Sequence, residues 1–193
     1  MDDRTAPAAA RPAPGRRLRD RPGAVLLAAG LLAFAVILGS YLAYKAIHPL
    51  NWTLDPVDLG VYQSGGLIVR HVQPLYNPHL AAPLYQWPGT PGGLPLKFTY
   101  TPFAAVVFAV VSFIPWRWLP DISVWVNIAA LLATLWFSYG GLGWRRGMTR
   151  AGATLLTAAA VFWTEPVLRT IYLGQVNLVL MALVIWDLCQ PDT

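Results

Sequence analysis

AVLLAAGLLAFAVILGSYLAY, residues 24–44, carries no charged side chain. A helix rises 1.5 Å per residue, so about 20 such residues cover a hydrocarbon core of about 30 Å. The stretch therefore reads as a transmembrane helix, spanning residues 24–45 once Lys45 is included at its far end. Tyr41, Tyr44 and Lys45 suit the outer membrane interface. This one segment sets the fold class: an all-α integral membrane protein, a polytopic helix bundle.

Composition agrees. Of 193 residues, 56% are hydrophobic and 12% charged, with a mean hydropathy of +0.48. A soluble domain is roughly 25% charged. Cys189 is the lone cysteine, which excludes an internal disulfide framework and disfavours a cysteine-based metal site. Arg4, Arg11, Arg16, Arg17, Arg19 and Arg21 all precede or border the apolar run. A basic amino terminus suits nucleic acid, but beside a span it reads as a cytoplasmic anchor, because Lys and Arg stay on the inner side. Residues 1–23, rich in Ala, Pro and Arg, read as a disordered cytoplasmic tail. Arg16-Arg17 is not read as a twin-arginine export signal, because the apolar run is too long and no small-residue cleavage site ends it.

Downstream, residues 46–97 hold eight prolines (49, 56, 74, 78, 83, 88, 91 and 95) and glycines 89, 92 and 93. A connection of that length is functional or disordered, and Trp52, Tyr62, Tyr76, Tyr85 and Trp87 argue for order. The segment reads as a structured extracytoplasmic loop with interfacial helices. Residues 98–193 hold about four more apolar segments: Phe98–Ile114, Ile122–Tyr139 with Asp121 as N-cap, Ala151–Trp163, and Ile171–Leu188. If each crosses once, the loop of Arg145, Arg146 and Arg150 falls outside, against the positive-inside rule. Re-entry of Phe98–Ile114 or Ala151–Trp163 would remove the conflict.

The chemistry concentrates in LDPVDLGVYQSGG, residues 54–66. Asp55-Pro56 is a helix-start signal, which puts Asp58 in the first turn, where it at least complements the helix dipole. Val57, Val61, Leu67/Ile68 and Val72 form one apolar stripe. Asp58, Tyr62, Gly65/Gly66 and Val69 recur on another. Two mid-helix glycines mark a close approach, by a ligand or by a packed helix. Lys97 opens KFTYTPF, as a snorkelling lysine or a phosphate partner. In TEPVLRTIYLGQVN, Glu165 and Arg169 stand i, i+4 and can pair. Gln175 and Asn177, at the head of a span, should face protein rather than lipid. His71 and His79 are too few for a metal site by themselves, and no phosphate-cradling loop, metalloprotease helix or nucleophile elbow is present.

DLGVYQSGG, KFTYTPFAA and LRTIYLGQVNLVLMAL, in that order, resemble the actinobacterial family of polyprenol-phosphate-mannose-dependent α-(1→2)-mannosyltransferases, membrane glycosyltransferases of GT-C type. The resemblance covers the amino-terminal half of the family's usual length. It implies a polyprenyl-phosphate-mannose donor, a mannose-containing glycolipid or lipoglycan acceptor, and an α-(1→2) linkage made with inversion in the cell membrane, on its extracytoplasmic side. It places the catalytic base at Asp58. Carboxylates are ionised at neutral pH, as a base must be. The phosphate leaving group needs cations rather than an acid. Lys97 and Arg169 would supply them, with His71 and His79 behind, while Tyr62, Gln175 and Asn177 would orient sugar or phosphate. No metal or cofactor and no nucleic acid is called for, and a companion polypeptide could supply the remaining spans. Two other readings stand beside this one: a transporter or flippase-like membrane component, and an inactive truncated partner protein. Polar groups gathered at span ends rather than mid-membrane weigh against the transporter.

Overall fold

The computed structural model describes residues 21–47, 56–76 and 98–190. Most of the tail, Asp55, His79, Lys97 and the loop from 77 to 97 lie outside these. Among the described residues the chain forms seven α-helices, one 3-10 turn and no strand. They are α1 (Arg21–Ile47), α2 (Val57–Arg70), α3 (Pro102–Phe108), α4 (Leu119–Gly141), α5 (Met148–Val161), α6 (Glu165–Leu173) and α7 (Asn177–Leu188), with the 3-10 turn at Val111–Phe113.

Two helices, α1 and α4, are long and apolar enough to cross a membrane. Their 27 and 23 residues rise about 40 and 35 Å. They run antiparallel. Lys45, near the end of α1, forms an ion pair with Asp121, at the start of α4. Asp121 is thus a first-turn acid and not the N-cap, a position held by Trp118. At the opposite end, Gly23 lines a cavity with Trp144, Arg145, Arg146 and Thr149. Arg21, which opens α1, and Arg145 and Arg146 of the later loop therefore share one end of the bundle.

That arrangement is possible because Phe98–Ile114 forms no spanning helix. The N-cap Thr101 and Pro102 start α3, which lasts seven residues before a turn and the 3-10 segment. At about 10 Å it is far too short to cross. Phe103, Val106, Val107, Val110 and Phe113 are exposed along residues 98–114, while Ala105 and Phe108 are buried against α2.

Helix α5 runs beside α1 in the same direction. A Cβ on Gly30 would lie 2.6 Å from the Gly152 carbonyl oxygen, and one on Gly152 would lie 2.5 Å from the Leu26 carbonyl carbon. Small residues let the two backbones touch, the usual means of packing helices in lipid. At the far end Phe162 meets Tyr41 edge-on at 5.5 Å. Tyr41 is only 1% exposed, so it faces inward rather than forming part of an interfacial belt. The chain then bends by 80° into α6, which lies across the end of the bundle and buries Val167, Thr170 and Ile171 on one face. Gly174, at φ 68°, reverses the chain into α7. The apolar run Ile171–Leu188 is therefore two helices and not one span. Leu178 packs with Val124, Ile128 and Leu131 of α4, and Cys189 Sγ donates to the Phe137 carbonyl at 3.4 Å, fixing α7 along α4.

Arg150 is not a loop charge. It is 6% exposed. Its guanidinium donates to the carbonyls of Trp136 and Trp144 and lies 4.1 Å from the Trp136 ring centroid. It satisfies carbonyls near the C-terminus of α4, where a cation is favoured.

Candidate active site

Helix α2 begins at Val57, with Pro56 as N-cap rather than first helical residue, and the Pro56 carbonyl accepts from Gly60 N–H at 3.0 Å. Gln63 Nε2 donates to the Ile114 carbonyl at 2.8 Å. Arg70 donates to Ser112 and stacks 3.7 Å over the Phe113 ring. These bonds fasten the middle and the C-terminal end of α2 to the 3-10 segment that follows α3. The helix ends at His71, and Val72 adopts a left-handed φ of 52° and is 92% exposed. Val72 therefore falls outside the apolar stripe expected of it. The buried face is Leu59, Val61, Tyr62, Ser64, Gly65, Gly66 and Ile68.

The glycine pair is a packing device. A Cβ on Gly65 would stand 2.3 Å from Phe98 Cε2, and one on Gly66 2.3 Å from the Phe108 carbonyl oxygen. Of the two readings of these glycines, close helix approach is the one realised. Tyr62, on the same face, stacks on Phe108 at 4.2 Å and meets Tyr100 edge-on at 5.3 Å, with the two hydroxyls 3.5 Å apart. Burial raises the Tyr62 pKa well above the ordinary tyrosine value. Tyr100 and the nearby Asp58 charge add to the rise, and the Val176 backbone opposes it. Tyr62 is therefore a neutral phenol at physiological pH. Tyr100 also takes a bond from Tyr76, whose hydroxyl donates to its carbonyl at 2.7 Å.

Asp58 is partly exposed in the first turn of α2. Gln175 Nε2 donates to its Oδ2 at 2.7 Å, and Asn177 Nδ2 donates to Gln175 Oε1 at 2.8 Å. Among the described residues, Asp58 Oδ1 has no partner. The relay joins the start of α2 to the α6–α7 turn, and backbone packing holds the two together. A Cβ on Gly174 would lie 2.8 Å from Leu59 Cβ and 3.2 Å from Pro56 Cβ. Gln175 and Asn177 do face protein groups, as their place at the head of a helix requires.

Beyond Gln175 opens a cleft of about 470 Å³, lined by Glu165, Arg169, Thr170, Gln175, Asn177 and Met181 among others. Arg169 is exposed on α6, and among the described residues it makes no ion pair with Glu165. Its guanidinium can take an anion. A second cavity, about 330 Å³, lies on the α1 side of the same helix and shares Glu165 and Arg169.

The structure thus gathers Asp58, Tyr62, Gln175, Asn177 and Arg169 at the Lys45–Asp121 end of the bundle. It does not bring His71 there. Thirteen residues of helix separate His71 from Asp58, about 20 Å. Lys97 lies outside the described residues. Tyr100 was not singled out from sequence; its signal was its place in KFTYTPF, two residues from the phenylalanine that fills the Gly65 notch. Among the described residues, no group of three or more His, Cys, Asp or Glu could hold a metal.

Residues 98–192 match the family model of glycosyltransferase family 87. The chain is 33% identical over 180 residues to a polyprenol-phosphate-mannose-dependent alpha-(1-2)-phosphatidylinositol pentamannoside mannosyltransferase of Mycobacterium tuberculosis, covering 93% of this chain and 39% of that protein. It is also 33% identical over 169 residues to a polyprenol-phosphate-mannose-dependent alpha-(1-2)-phosphatidylinositol mannoside mannosyltransferase of the same species, covering 81% and 37%. The pentamannoside enzyme of Mycolicibacterium smegmatis is 34% identical over 158 residues, covering 79% and 35%. The chain therefore spans well under half the length of these curated relatives. No solved structure matches it. The alignments to the relatives run over most of the chain, and the region matched by the family model takes in α3 to α7, including Arg169, Gln175 and Asn177: residues 98–192 belong to glycosyltransferase family 87.

Proposed function

We propose that the chain carries the catalytic carboxylate of a membrane mannosyltransferase. Mannose moves from a polyprenyl-phosphate-mannose donor to a phosphatidylinositol mannoside or related glycolipid, forming an α-(1→2) linkage with inversion. Asp58 is the general base. The observation that carries this reading is the Gln175 bond: it holds one carboxylate oxygen and leaves Oδ1 without a partner among the described residues, while Gln175 itself lines a cleft that Arg169 also lines.

The acceptor hydroxyl oxygen attacks the anomeric carbon while its proton passes to Asp58 Oδ1. The bond from that carbon to the phosphate oxygen breaks with its electron pair, and polyprenyl phosphate leaves. Arg169 neutralises the departing phosphate, as a preorganised cation should. Lys97, which stands one residue before Phe98 in the sequence, is a second candidate for the same task. Neutral Tyr62 lends polarity without adding a competing charge.

The site faces the extracytoplasmic side of the cell membrane in this proposal. Support comes from Arg21, which opens α1, and Arg145 and Arg146, which share the opposite end of the bundle, the inner end by the positive-inside rule. Purified chain is assayed with polyprenyl-phosphate-mannose and phosphatidylinositol mannosides. The Asp58→Asn protein should insert normally and lose transfer. Wild-type rates in that variant would remove Asp58 from the mechanism.

A further inference from the structure

The cavity between α1 and α6 is built differently from the cleft beside Gln175. Tyr41, Tyr44, Trp163 and Tyr172 give it four aromatic walls, and Glu165 and Arg169 stand on it as an acid and a base. Its volume, about 330 Å³, is at the lower end of small-ligand pockets. Tyr and Trp at a bilayer interface ordinarily form a lipid-facing belt, but Tyr41 departs from that pattern. It is 1% exposed and its hydroxyl is sealed off, so its ring backs the cavity without offering the hydroxyl to an occupant. Trp163 is 42% exposed, which leaves the cavity reachable from outside.

The occupant can be argued from charge. An isolated phosphate would favour Arg169 but be opposed by the Glu165 carboxylate. A neutral polyol uses both: its hydroxyls donate to the carboxylate and accept from the guanidinium. The apolar face of a pyranose ring suits an indole or phenol wall. We propose that this cavity is a hexose subsite, holding a sugar ring of the acceptor remote from the hydroxyl that reacts. The choice of mannose rests on the mannosyl-transfer reading above. Because the cavity and the Gln175 cleft share Glu165 and Arg169, α6 then stands between the remote sugar and the reacting centre.

The test is ligand-detected saturation-transfer NMR on the full 193-residue chain in detergent micelles, with methyl α-D-mannopyranoside as the probe. Sugar ring protons should receive saturation from the wild-type protein. Trp163→Ala should abolish the transfer. Glu165→Gln should weaken binding by roughly 3- to 10-fold. Asp58→Asn should bind the sugar as wild type does, even where transfer is lost, so failure of the subsite and failure of the Asp58 assignment are read separately. The proposal is overturned by the absence of saturation transfer in the wild type, or by unchanged binding in both Glu165→Gln and Trp163→Ala.

Discussion

Gln175 donates its side-chain amide to Asp58 across 2.7 Å, joining residues 117 positions apart in the chain. The amide fixes the carboxylate without competing for its charge. Removing a hydrogen bond to a charged group costs about 1.5–3 kcal/mol. Gln175→Leu should therefore lower kcat by roughly 10- to 100-fold while the protein still inserts. Asp58→Asn should cost more, about 10²–10⁴-fold. Steady-state transfer rates rank the two, and a larger loss in Gln175→Leu than in Asp58→Asn would reverse their roles.

The two glycines of α2 should respond differently to alanine. At Gly65 the obstacle is the Phe98 ring, a side chain that can rotate away. At Gly66 it is the Phe108 carbonyl, a backbone group held in α3. Overpacking costs typically about 1–3 kcal/mol, so both variants should melt earlier, Gly66→Ala by the larger margin. Thermal denaturation in detergent measures the order.

Gly174 combines a left-handed φ of 68° with close approach to Leu59 and Pro56. An alanine there carries a backbone penalty of about 1–2 kcal/mol and pushes the α6–α7 turn away from α2. Gly174→Ala should lose transfer activity out of proportion to stability, because the displaced element carries Gln175. Equal losses in Gly174→Ala and Gly66→Ala would argue against that coupling.

Tyr62 makes a prediction for alkaline pH. Its folded-state pKa is raised, so the neutral form favours folding. That contribution is complete below the unfolded tyrosine value of about 10 and is lost as pH rises through and above it. Tyr62→Phe should remove part of the alkaline loss of stability and leave the profile between about pH 6 and 9 unchanged. Melting temperature against pH for the two proteins gives the comparison.

Orientation is testable by labelling. In a Cys189→Ser background, Gln73→Cys should react with an impermeant maleimide in intact cells, and Arg146→Cys only after permeabilisation. The reverse pattern would place the Asp58 cluster on the cytoplasmic side.

The legible part of the sequence was what local pattern determines. Uncharged runs marked α1 and α4, and Asp-Pro followed by a helical repeat marked α2 with Asp58 and Tyr62 on it. Breaks set by tertiary contact were not legible. Gly174 sits inside a run as apolar as a span, and only its packing on Leu59 explains why the chain turns there. Phe98–Ile114 has a span's composition, yet Arg70 and Gln63 bind its carbonyls and fold it back on α2. Arg150 looked like a topogenic charge until its guanidinium was found on the Trp136 carbonyl. Long-range partners such as Gln175 for Asp58 leave no mark on periodicity.

The 80° bend after α5 has a consequence for the lipid around it. The 14 residues of α5 rise about 21 Å, and the 12 of α7 about 18 Å. Both fall short of a hydrocarbon layer of about 30 Å. Hydrophobic mismatch of this size is relieved where the bilayer thins beside the short helices. On the reaction proposed above, thinning on the α6 side would lower the headgroup plane toward Arg169, so that a lipid-borne phosphate would meet the guanidinium without its tail leaving the acyl layer. Bilayer thickness would then be a determinant of the proposed turnover, with longer acyl chains lifting the donor away from the carboxylate.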